Sequence, residues 1–251
     1  MGWRIGIDVG GTFTDFVLVD GASGKVVHYK EPSTPADPAR AVETGVAALL
    51  DAAAVAPGDV DLIVHGTTIS LNSILQRRGA KVALVVSRGN RDLMEIARVR
   101  MAHAYDFYTK PERPLVSRDR VVTCEARLDA DGTAWLNPDE AELDRVAAQL
   151  AAMKPDAVAV VIMNAYLDPA FEARIADGLQ RRMQAVPIAA STAIWSEMRE
   201  YERATVAVMN AYVAPTMQGY YARLERSFHA KGFTAPLSMT TSNGEIGRAH
   251  V

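Results

Sequence analysis

The residues whose types and spacing are best suited to ligand binding or catalysis lie near the start of the chain, where residues 7–15 read IDVGGTFTD. An apolar run that predicts a buried strand delivers Asp8, and Gly10 and Gly11 follow after one further residue. Because glycine has no Cβ atom, this pair allows a tight turn whose N–H groups can converge on the oxygens of a phosphate. The stretch therefore predicts a phosphate-binding turn.

Side chains around the turn extend this prediction. The hydroxyls of Thr12 and Thr14 would add hydrogen-bond donors, and Asp8 would hold a magnesium ion through water, since magnesium keeps part of its hydration shell. The alternative is a plain β-hairpin whose glycines only satisfy turn geometry; the acid before the glycines and the threonines on both sides of Phe13 favour the phosphate site. The stretch is neither a Walker loop nor a dinucleotide fingerprint, because it has no Gly-Lys-Ser/Thr and no Gly-x-Gly-x-x-Gly.

Composition limits the class of protein. With 251 residues and 49% hydrophobic residues, the chain can bury a sizeable core. A net charge of −3, with acidic and basic residues interspersed, argues against a nucleic-acid partner. No run approaches the roughly 20 apolar residues of a membrane helix, and no charged-then-apolar leader opens the chain, so we expect a cytoplasmic protein without a membrane partner.

Cys124 is the only cysteine. An internal disulfide, a cysteine-rich zinc site and a cysteine-ligated iron–sulfur cluster are therefore excluded within one chain. Its setting in an apolar run predicts a half-buried strand thiol, with a nucleophile as the alternative.

The elements that must position the turn begin with three strands joined by tight turns, which we predict to be antiparallel. A helix follows, with Asp37 as N-cap and Pro38 at its first position. The predicted strands are 4–9, 16–19, 26–30, 61–65 and 82–86, and the predicted helices are 37–54 and one beginning near residue 70. The order βββαβαβ is typical of the first lobe of the α/β actin-like ATPase, or ribonuclease H-like, fold.

The rest of the chain predicts a second α/β unit, stacked on or inserted into the first. We expect a loop at 101–114, a hairpin at 121–136 around an Asp-Gly turn, strands at 157–163 and 188–191, and helices at 138–153 and 169–183, the former capped by Asn137. Two helices, 201–213 and 217–231, separated by Pro215, and a strand at 237–241 complete the reading.

Three motifs resemble one known family. Residues 6–15 resemble the phosphate motif of the hydantoinase A family, which includes 5-oxoprolinases, N-methylhydantoinases and the matching subunit of acetone carboxylases. A second match is HGTT at 65–68 with Asn72, and a third is EYERAT at 200–205, which runs into NAYVAP at 210–215. By this resemblance, residues 1–186 would form the family's N-terminal region and 187–244 the start of its core domain.

The resemblance implies that the protein uses ATP and Mg²⁺ to phosphorylate an amide, lactam or ketone oxygen, so that water or carbonate can attack. The chain would be the N-terminal part of an ATP-dependent hydrolase subunit for cyclic amides such as hydantoin, N-methylhydantoin or 5-oxoproline, working with a hydantoinase B-type second subunit. Three alternatives stay open: an acetone or ketone carboxylase subunit, a carbohydrate kinase of the same fold, and an ATP-driven reactivating chaperone.

The resemblance also implies roles for single residues. Asp8 would be the catalytic, metal-side acid. The phosphate cradle would consist of Gly10, Gly11, Thr12 and Thr14. His65, Thr67 and Thr68, at a strand end facing the cleft, would be further candidates for phosphate or substrate contact.

Simpler interpretations of some of these residues remain. His65 could serve a structural hydrogen bond, and Thr67-Thr68 could cap the helix that follows. The charged residues of the third motif, Glu200, Glu202 and Arg203, are most simply helix-end charges and surface pairs.

The last residues, 245–251, do not continue any motif or pattern of the preceding sequence. They are the translation of GAGATCGGAAGAGCACACGTC, a common sequencing-adapter sequence preceded by one G. We hypothesise that adapter read-through truncated the reading frame after Gly244. The second lobe's nucleotide loops would then lie beyond that residue, and the chain as given is expected to be inactive.

Overall fold

The computed structural model describes residues 2–99, 106, 108–109, 113–240 and 246–248. The predicted loop at 101–114 therefore lies mostly outside the described residues. The strands are β1 (Trp3–Val9), β2 (Phe13–Asp20), β3 (Val26–Pro32), β4 (Val60–Thr67), β5 (Val82–Ser87), β6 (Val121–Cys124), β7 (Arg127–Leu128), β8 (Ala134–Leu136), β9 (Ala157–Val161), β10 (Ile188–Ala190), β11 (Leu237–Thr240) and β12 (Ile246–Arg248). The helices are α1 (Pro38–Ala53), α2 (Ile69–Leu75), α3 (Leu93–Ile96), α4 (Glu140–Met153), α5 (Pro169–Arg182), α6 (Ser191–Ile194) and α7 (Glu200–Ala230).

The chain forms two compact units. The first consists of Met1–Gln76 and Thr216–Val251, and the second of Arg77–Pro215. The second unit is thus inserted in sequence between the two segments of the first. None of the helices in the described part of the chain combines the length and apolarity that a bilayer crossing requires.

The first unit contains a six-stranded mixed sheet in the order β12-β11-β4-β1-β2-β3. β1, β2 and β3 form the predicted antiparallel meander, while β4 runs parallel to β1 and β11 parallel to β4. The predicted linear order βββαβαβ is present, but β5 pairs in the other sheet, and the strand that follows β4 in this sheet is β11. Periodicity could not assign β5 to a sheet, because all six of its residues are buried and only pairing decides the neighbour.

Within the described residues, other elements of the chain pack on one face of this sheet and leave the opposite face exposed. Ile5, Ile7 and Val9 alternate along β1 toward the covered face, where α1 packs with its apolar stripe. Gly45 of α1 lies against the ring of Phe16, and a Cβ atom there would come within 2.2 Å of that ring. The opposite face, which bears Gly6, Asp8, Val17, Val64 and Gly66, is called the open face below.

The second unit contains a parallel four-stranded sheet in the order β10-β9-β5-β6. β5 and β9 are buried at every position, as expected for central strands of a parallel sheet covered on both faces. α4 and α5 pack on this sheet and contribute Leu143, Val146, Phe171 and Leu179 to its core.

Several boundaries differ from the sequence prediction; β2, for example, begins at Phe13 and not at residue 16. The hairpin spans only β7 and β8, because β6 joins the parallel sheet. α4 is capped by Asp139, whose side chain accepts from Glu142 N at 2.8 Å, and not by Asn137. α7 is one helix that runs through Pro215, where two helices were predicted. An interior proline costs about 3 kcal/mol, and burial of residues on both sides of it, such as Tyr212 and Tyr220, offsets this cost.

Candidate functional site

The turn after β1 and the loop after β4 lie side by side. The parallel pairing of the two strands places Val9 beside Thr67, and Thr68 N donates to Val9 O at 3.1 Å. The first two sequence motifs therefore meet at the same end of the sheet, as expected for parallel strands. The third motif begins in the second unit and is described separately.

The glycines shape the turn itself. Gly10 N donates to Phe13 O at 3.0 Å, and a Cβ atom on Gly10 would lie only 2.9 Å from that carbonyl oxygen. Gly11 is exposed, and the nearest atom to its missing side chain is Asn72 Nδ2, at 3.7 Å. Within the described part of the chain, the N–H groups of Gly11 and Thr12 donate no hydrogen bond to protein. Two backbone donors are therefore available to an anion, as the sequence predicts for a phosphate turn.

Ser33, which the sequence does not predict as part of the site, stabilises the turn by two hydrogen bonds. Ser33 N donates to Thr12 O at 2.8 Å, and Ser33 Oγ donates to Gly10 O at 2.8 Å. This residue follows β3 and is remote from the turn in sequence, so no local pattern indicates the contact.

Thr14 was predicted to donate to phosphate, but the structure does not place it among the ligand-facing groups. Its side chain is fully buried, and its Oγ1 lies 3.0 Å from Ser33 Oγ. Along β2, Thr14 lies on the same face as the buried Phe16 and Leu18, whereas Thr12 is exposed. Thr14 therefore supports Ser33, and Thr12 alone offers a free hydroxyl beside the turn.

Asp8 is exposed on the open face, directly across from Asp15 in the β1–β2 register. Asp15 is paired with Lys30 Nζ at 2.9 Å, while Asp8 has no ion pair or hydrogen bond with any described residue. A Cβ atom on Gly66 would lie 3.6 Å from Asp8 Oδ1 and 3.2 Å from Thr240 Oγ1, so this glycine keeps a space open between carboxylate and hydroxyl. An unpaired carboxylate beside such a space fits a magnesium ion that keeps its water ligands.

A pocket of about 670 Å³ extends from Asp8 over the open face. Its lining is mainly apolar and includes Gly6, Val17 and Val64, together with the charged side chains of Asp8, Asp15 and Lys30. The pocket adjoins the free carboxylate, so a largely apolar organic molecule bound there would lie next to the predicted metal position.

The sequence predicts that His65 faces the cleft, but in the structure it does not. It is fully buried, its Nε2 lies 2.6 Å from the hydroxyl of Tyr220, and the rings of Tyr220 and Tyr221 pack edge-on at 5.5 and 5.7 Å. Along β4, His65 shares the covered face with Ile63, while Gly66 lies on the open face. We therefore correct its role from catalytic contact to the alternative, a structural hydrogen bond that holds β4 against α7.

Burial of His65 gives the protein an acid-sensitive element. Loss of hydration lowers the pKa of His65 from 6.5 to about 4. Between pH 6.5 and about 4, the unfolded chain therefore binds a proton at His65 and the folded chain does not. The stability contributed by neutral His65 is complete above pH 6.5 and is lost as the pH falls toward 4, by about 3 kcal/mol.

We expect His65→Gln, which can keep a hydrogen bond but does not titrate, to flatten stability against pH between about 6.5 and 4. His28→Gln, at an exposed histidine, should leave the curve unchanged. Urea denaturation at a series of pH values measures both. Parallel curves for wild type and His65→Gln would contradict the assignment.

The two threonines after β4 have different contacts. Thr67 Oγ1 accepts from Ile69 N at 3.1 Å and so supports the start of α2, whereas Thr68, the N-cap residue, makes no side-chain capping hydrogen bond. Thr68 is exposed, and its hydroxyl donates to Val9 O at 3.3 Å, a long hydrogen bond that leaves it accessible to a ligand. Of the two, Thr68 is the better placed for ligand contact.

The third motif contains a buried arginine, where a surface charge was predicted. Arg203 is fully buried and donates from Nε to Ser191 Oγ at 2.9 Å and from Nη2 to Ile162 O at 2.6 Å. Ser191 in turn donates to Glu172, also fully buried, whose carboxylate accepts further bonds from Ile162 N and Thr192 N at 2.7 Å each. This buried network fixes the start of α7 in the second unit.

Cys124 is fully buried, more than predicted, and burial raises the pKa of its thiol to about 12. The thiolate is then scarce near neutral pH, which argues against the nucleophile interpretation.

Comparison with known proteins identifies related chains. The family model for the hydantoinase/oxoprolinase N-terminal region matches residues 4–183, and the model for hydantoinase/oxoprolinase matches residues 203–250. Caprolactamase subunit alpha from Pseudomonas jessenii is 32% identical over 97% of this chain and 36% of its own length. Acetophenone carboxylase gamma subunit from Aromatoleum aromaticum is 30% identical over 96% of this chain and 35% of its own length.

Solved structures agree. The crystal structure of the Pseudomonas jessenii ATP-dependent caprolactamase superimposes with a TM-score of 0.87 over 97% of this chain and 36% of that one, at 32% identity. Nucleotide-free acetone carboxylase superimposes with a TM-score of 0.88 at 23% identity, over 99% of this chain and 37% of that one. These matches confirm the predicted actin-like ATPase fold. The chain spans little more than a third of the length of these relatives.

Proposed function

Because the chain belongs to the hydantoinase/oxoprolinase family, we propose that it carries the phosphate-holding part of an ATP-dependent enzyme subunit that acts on cyclic amides. Hydantoin, N-methylhydantoin and 5-oxoproline are the substrates we favour. The observation that carries the proposal is the turn at residues 10–12, where two N–H groups and the nearby carboxylate of Asp8 have no partner among the described residues. Phosphate and a hydrated cation need these two groups side by side.

Each group then has a defined task. The N–H groups of Gly11 and Thr12 would donate to phosphate oxygens, and the hydroxyl of Thr12 would add a donor. The hydroxyl of Thr68 would do so only by giving up its bond to Val9 O. Asp8 would accept hydrogen bonds from the water ligands of Mg²⁺. When bound, MgATP would supply the phosphoryl group that activates the amide oxygen; addition of water to the carbonyl carbon would then let the ring C–N bond break, and phosphate and the ring-opened acid would be released. The pocket on the open face would hold the amide ring beside Asp8.

A ketone carboxylase subunit is the second candidate. The similarity to acetophenone carboxylase gamma subunit, and to acetone carboxylase beta subunit from Xanthobacter autotrophicus at 26% identity, favours it. In that case the α-carbon of the activated ketone would form a carbon–carbon bond to a bicarbonate-derived carbon, with release of phosphate, in place of the attack by water. The carbohydrate kinase and the reactivating chaperone gain no support from these relatives.

We further propose that activity needs more than this chain, since it covers 36% of caprolactamase subunit alpha. The named relatives are subunits, which supports a hydantoinase B-type partner. The isolated 251-residue chain should show no ATP hydrolysis above background. The adapter origin of residues 245–251 and the boundary at 186/187 stay hypotheses; sequencing the source DNA past Gly244 tests the first.

Calorimetry tests the proposed function. A full-length gene product should bind ATP in the presence of Mg²⁺ and release ADP when supplied with a cyclic amide. Ketones with bicarbonate, and sugars, serve as competing substrate panels. Absence of binding to any adenine nucleotide would overturn the proposal, and ADP release only with ketone and bicarbonate would select the carboxylase.

A further inference from the structure

Asn72 lies in the first half of α2, beside the turn after β1. Its Nδ2 is 3.7 Å from the position a Gly11 Cβ atom would occupy, with no other heavy atom of the described chain as close to that position. The side chain is half-buried, and its one hydrogen bond with a described residue runs to Thr68 Oγ1 at a long 3.4 Å. A side-chain amide carries two N–H donors, so at least one is available in the direction of the turn.

That amide adds to the donors already described. The N–H groups of Gly11 and Thr12, which donate to no described residue, lie in the same turn, and the amide of Asn72 donates to Thr68 Oγ1 beside it. We propose that Asn72 is a ligand-contacting residue, whose side-chain amide donates to a phosphate oxygen of a nucleotide held at residues 10–12. This inference rests on the proposed function and adds to it a donor from the second sequence motif.

A structural role alone does not account for the placement. A single hydrogen bond of 3.4 Å on a partly exposed side chain contributes little to stability. The backbone N–H of Asn72 already bonds Thr68 O at 2.9 Å within α2, and the side chain is not needed for that bond.

The test compares Asn72→Asp with Gln76→Glu in the full-length gene product. Both variants replace an amide by a carboxylate on α2, but Gln76 is exposed and lies about one helical turn farther along. Asn72→Asp removes donors and places a negative charge beside the phosphate, so we expect MgATP binding to weaken about 30-fold or more. Asn72→Ala should weaken it about 3-fold, and Gln76→Glu less than about 2-fold.

Calorimetric titration with MgATP and thermal unfolding are measured on the same preparations. Weaker binding by Asn72→Asp with an unchanged melting temperature supports the inference. Equal affinities for wild type and both Asn72 variants, or a loss that Gln76→Glu shares, would overturn it. If the wild type itself binds no nucleotide, the proposed function fails, which is a separate result.

Discussion

Replacement of Arg203 by methionine is expected to lower the free energy of unfolding of the second unit by about 3–5 kcal/mol. Arg203 is fully buried and its guanidinium donates to Ser191, to the carbonyl of Ile162 and to that of Glu197. Methionine fills much of the volume but leaves these acceptors without donors. It also removes the ion pair between Arg203 Nη2 and Glu200 Oε1, which lie 3.5 Å apart.

The matched control is Arg88→Met. Arg88 is exposed and pairs with Glu125 at 3.0 Å, and pairs of this kind contribute about 0–1 kcal/mol. Denaturant unfolding followed by tryptophan fluorescence reports mainly on the second unit, because Trp135 and Trp195 lie there. A loss for Arg203→Met no larger than that of Arg88→Met would show that the network contributes little.

A double variant tests whether the two buried charges act together. If Arg203 compensates Glu172 through Ser191, then Arg203→Met combined with Glu172→Gln should cost less than the two single changes added, by about 1–3 kcal/mol. Simple additivity would show that the two groups are independent.

The tight turn at residues 10–12 could be predicted from the sequence because its determinants are local. The strand before it, the acid at the strand end and the two glycines are consecutive, and the exposed N–H groups follow from the turn they form. The same holds for the meander of β1, β2 and β3, whose alternating pattern and short connections leave few other arrangements.

The sheet face on which Thr14 and His65 lie follows from the alternation of residues along their strands, although the family motif assigns both to ligand contact. Thr14 is two and four residues away from Phe16 and Leu18, and His65 is two residues away from Ile63. Because side chains two apart in a strand point to the same face, the sequence already places both residues on the apolar face. Resemblance to a motif gives residue types, whereas strand alternation gives direction.

The hydrogen bonds of Ser33 and the network of Arg203 were not predictable by these means. Ser33 reaches the turn from beyond β3, and Arg203 contacts residues 12 and 41 positions earlier. Such contacts depend on how the elements pack, and no periodicity within one element encodes that. The pairing of β5 with β9 and β6 has the same cause.

Asp8→Asn is expected to lower kcat for ATP hydrolysis by about 1,000-fold in a full-length gene product, with a much smaller change in the KM for ATP. Asp8 and Asp15 face one another on the open face; Asp15 is paired with Lys30, whereas Asp8 has no cationic partner among the described residues. Asparagine keeps the size of the side chain but removes the charge that would hold a hydrated Mg²⁺ next to the phosphates. The fold should be preserved, since the side chain is exposed and unpaired in the described structure.

Asp51→Asn provides the control for an aspartate-to-asparagine change, because Asp51 is exposed near the end of α1. Steady-state ADP release at several Mg²⁺ concentrations separates the possible roles of Asp8. If Asp8 acts through the cation, Asp8→Asn should require more Mg²⁺ for half-maximal rate, and raising Mg²⁺ should recover part of the loss. A variant with wild-type kcat and an unchanged Mg²⁺ requirement would remove Asp8 from the site, and the turn would then bind phosphate without help from this carboxylate.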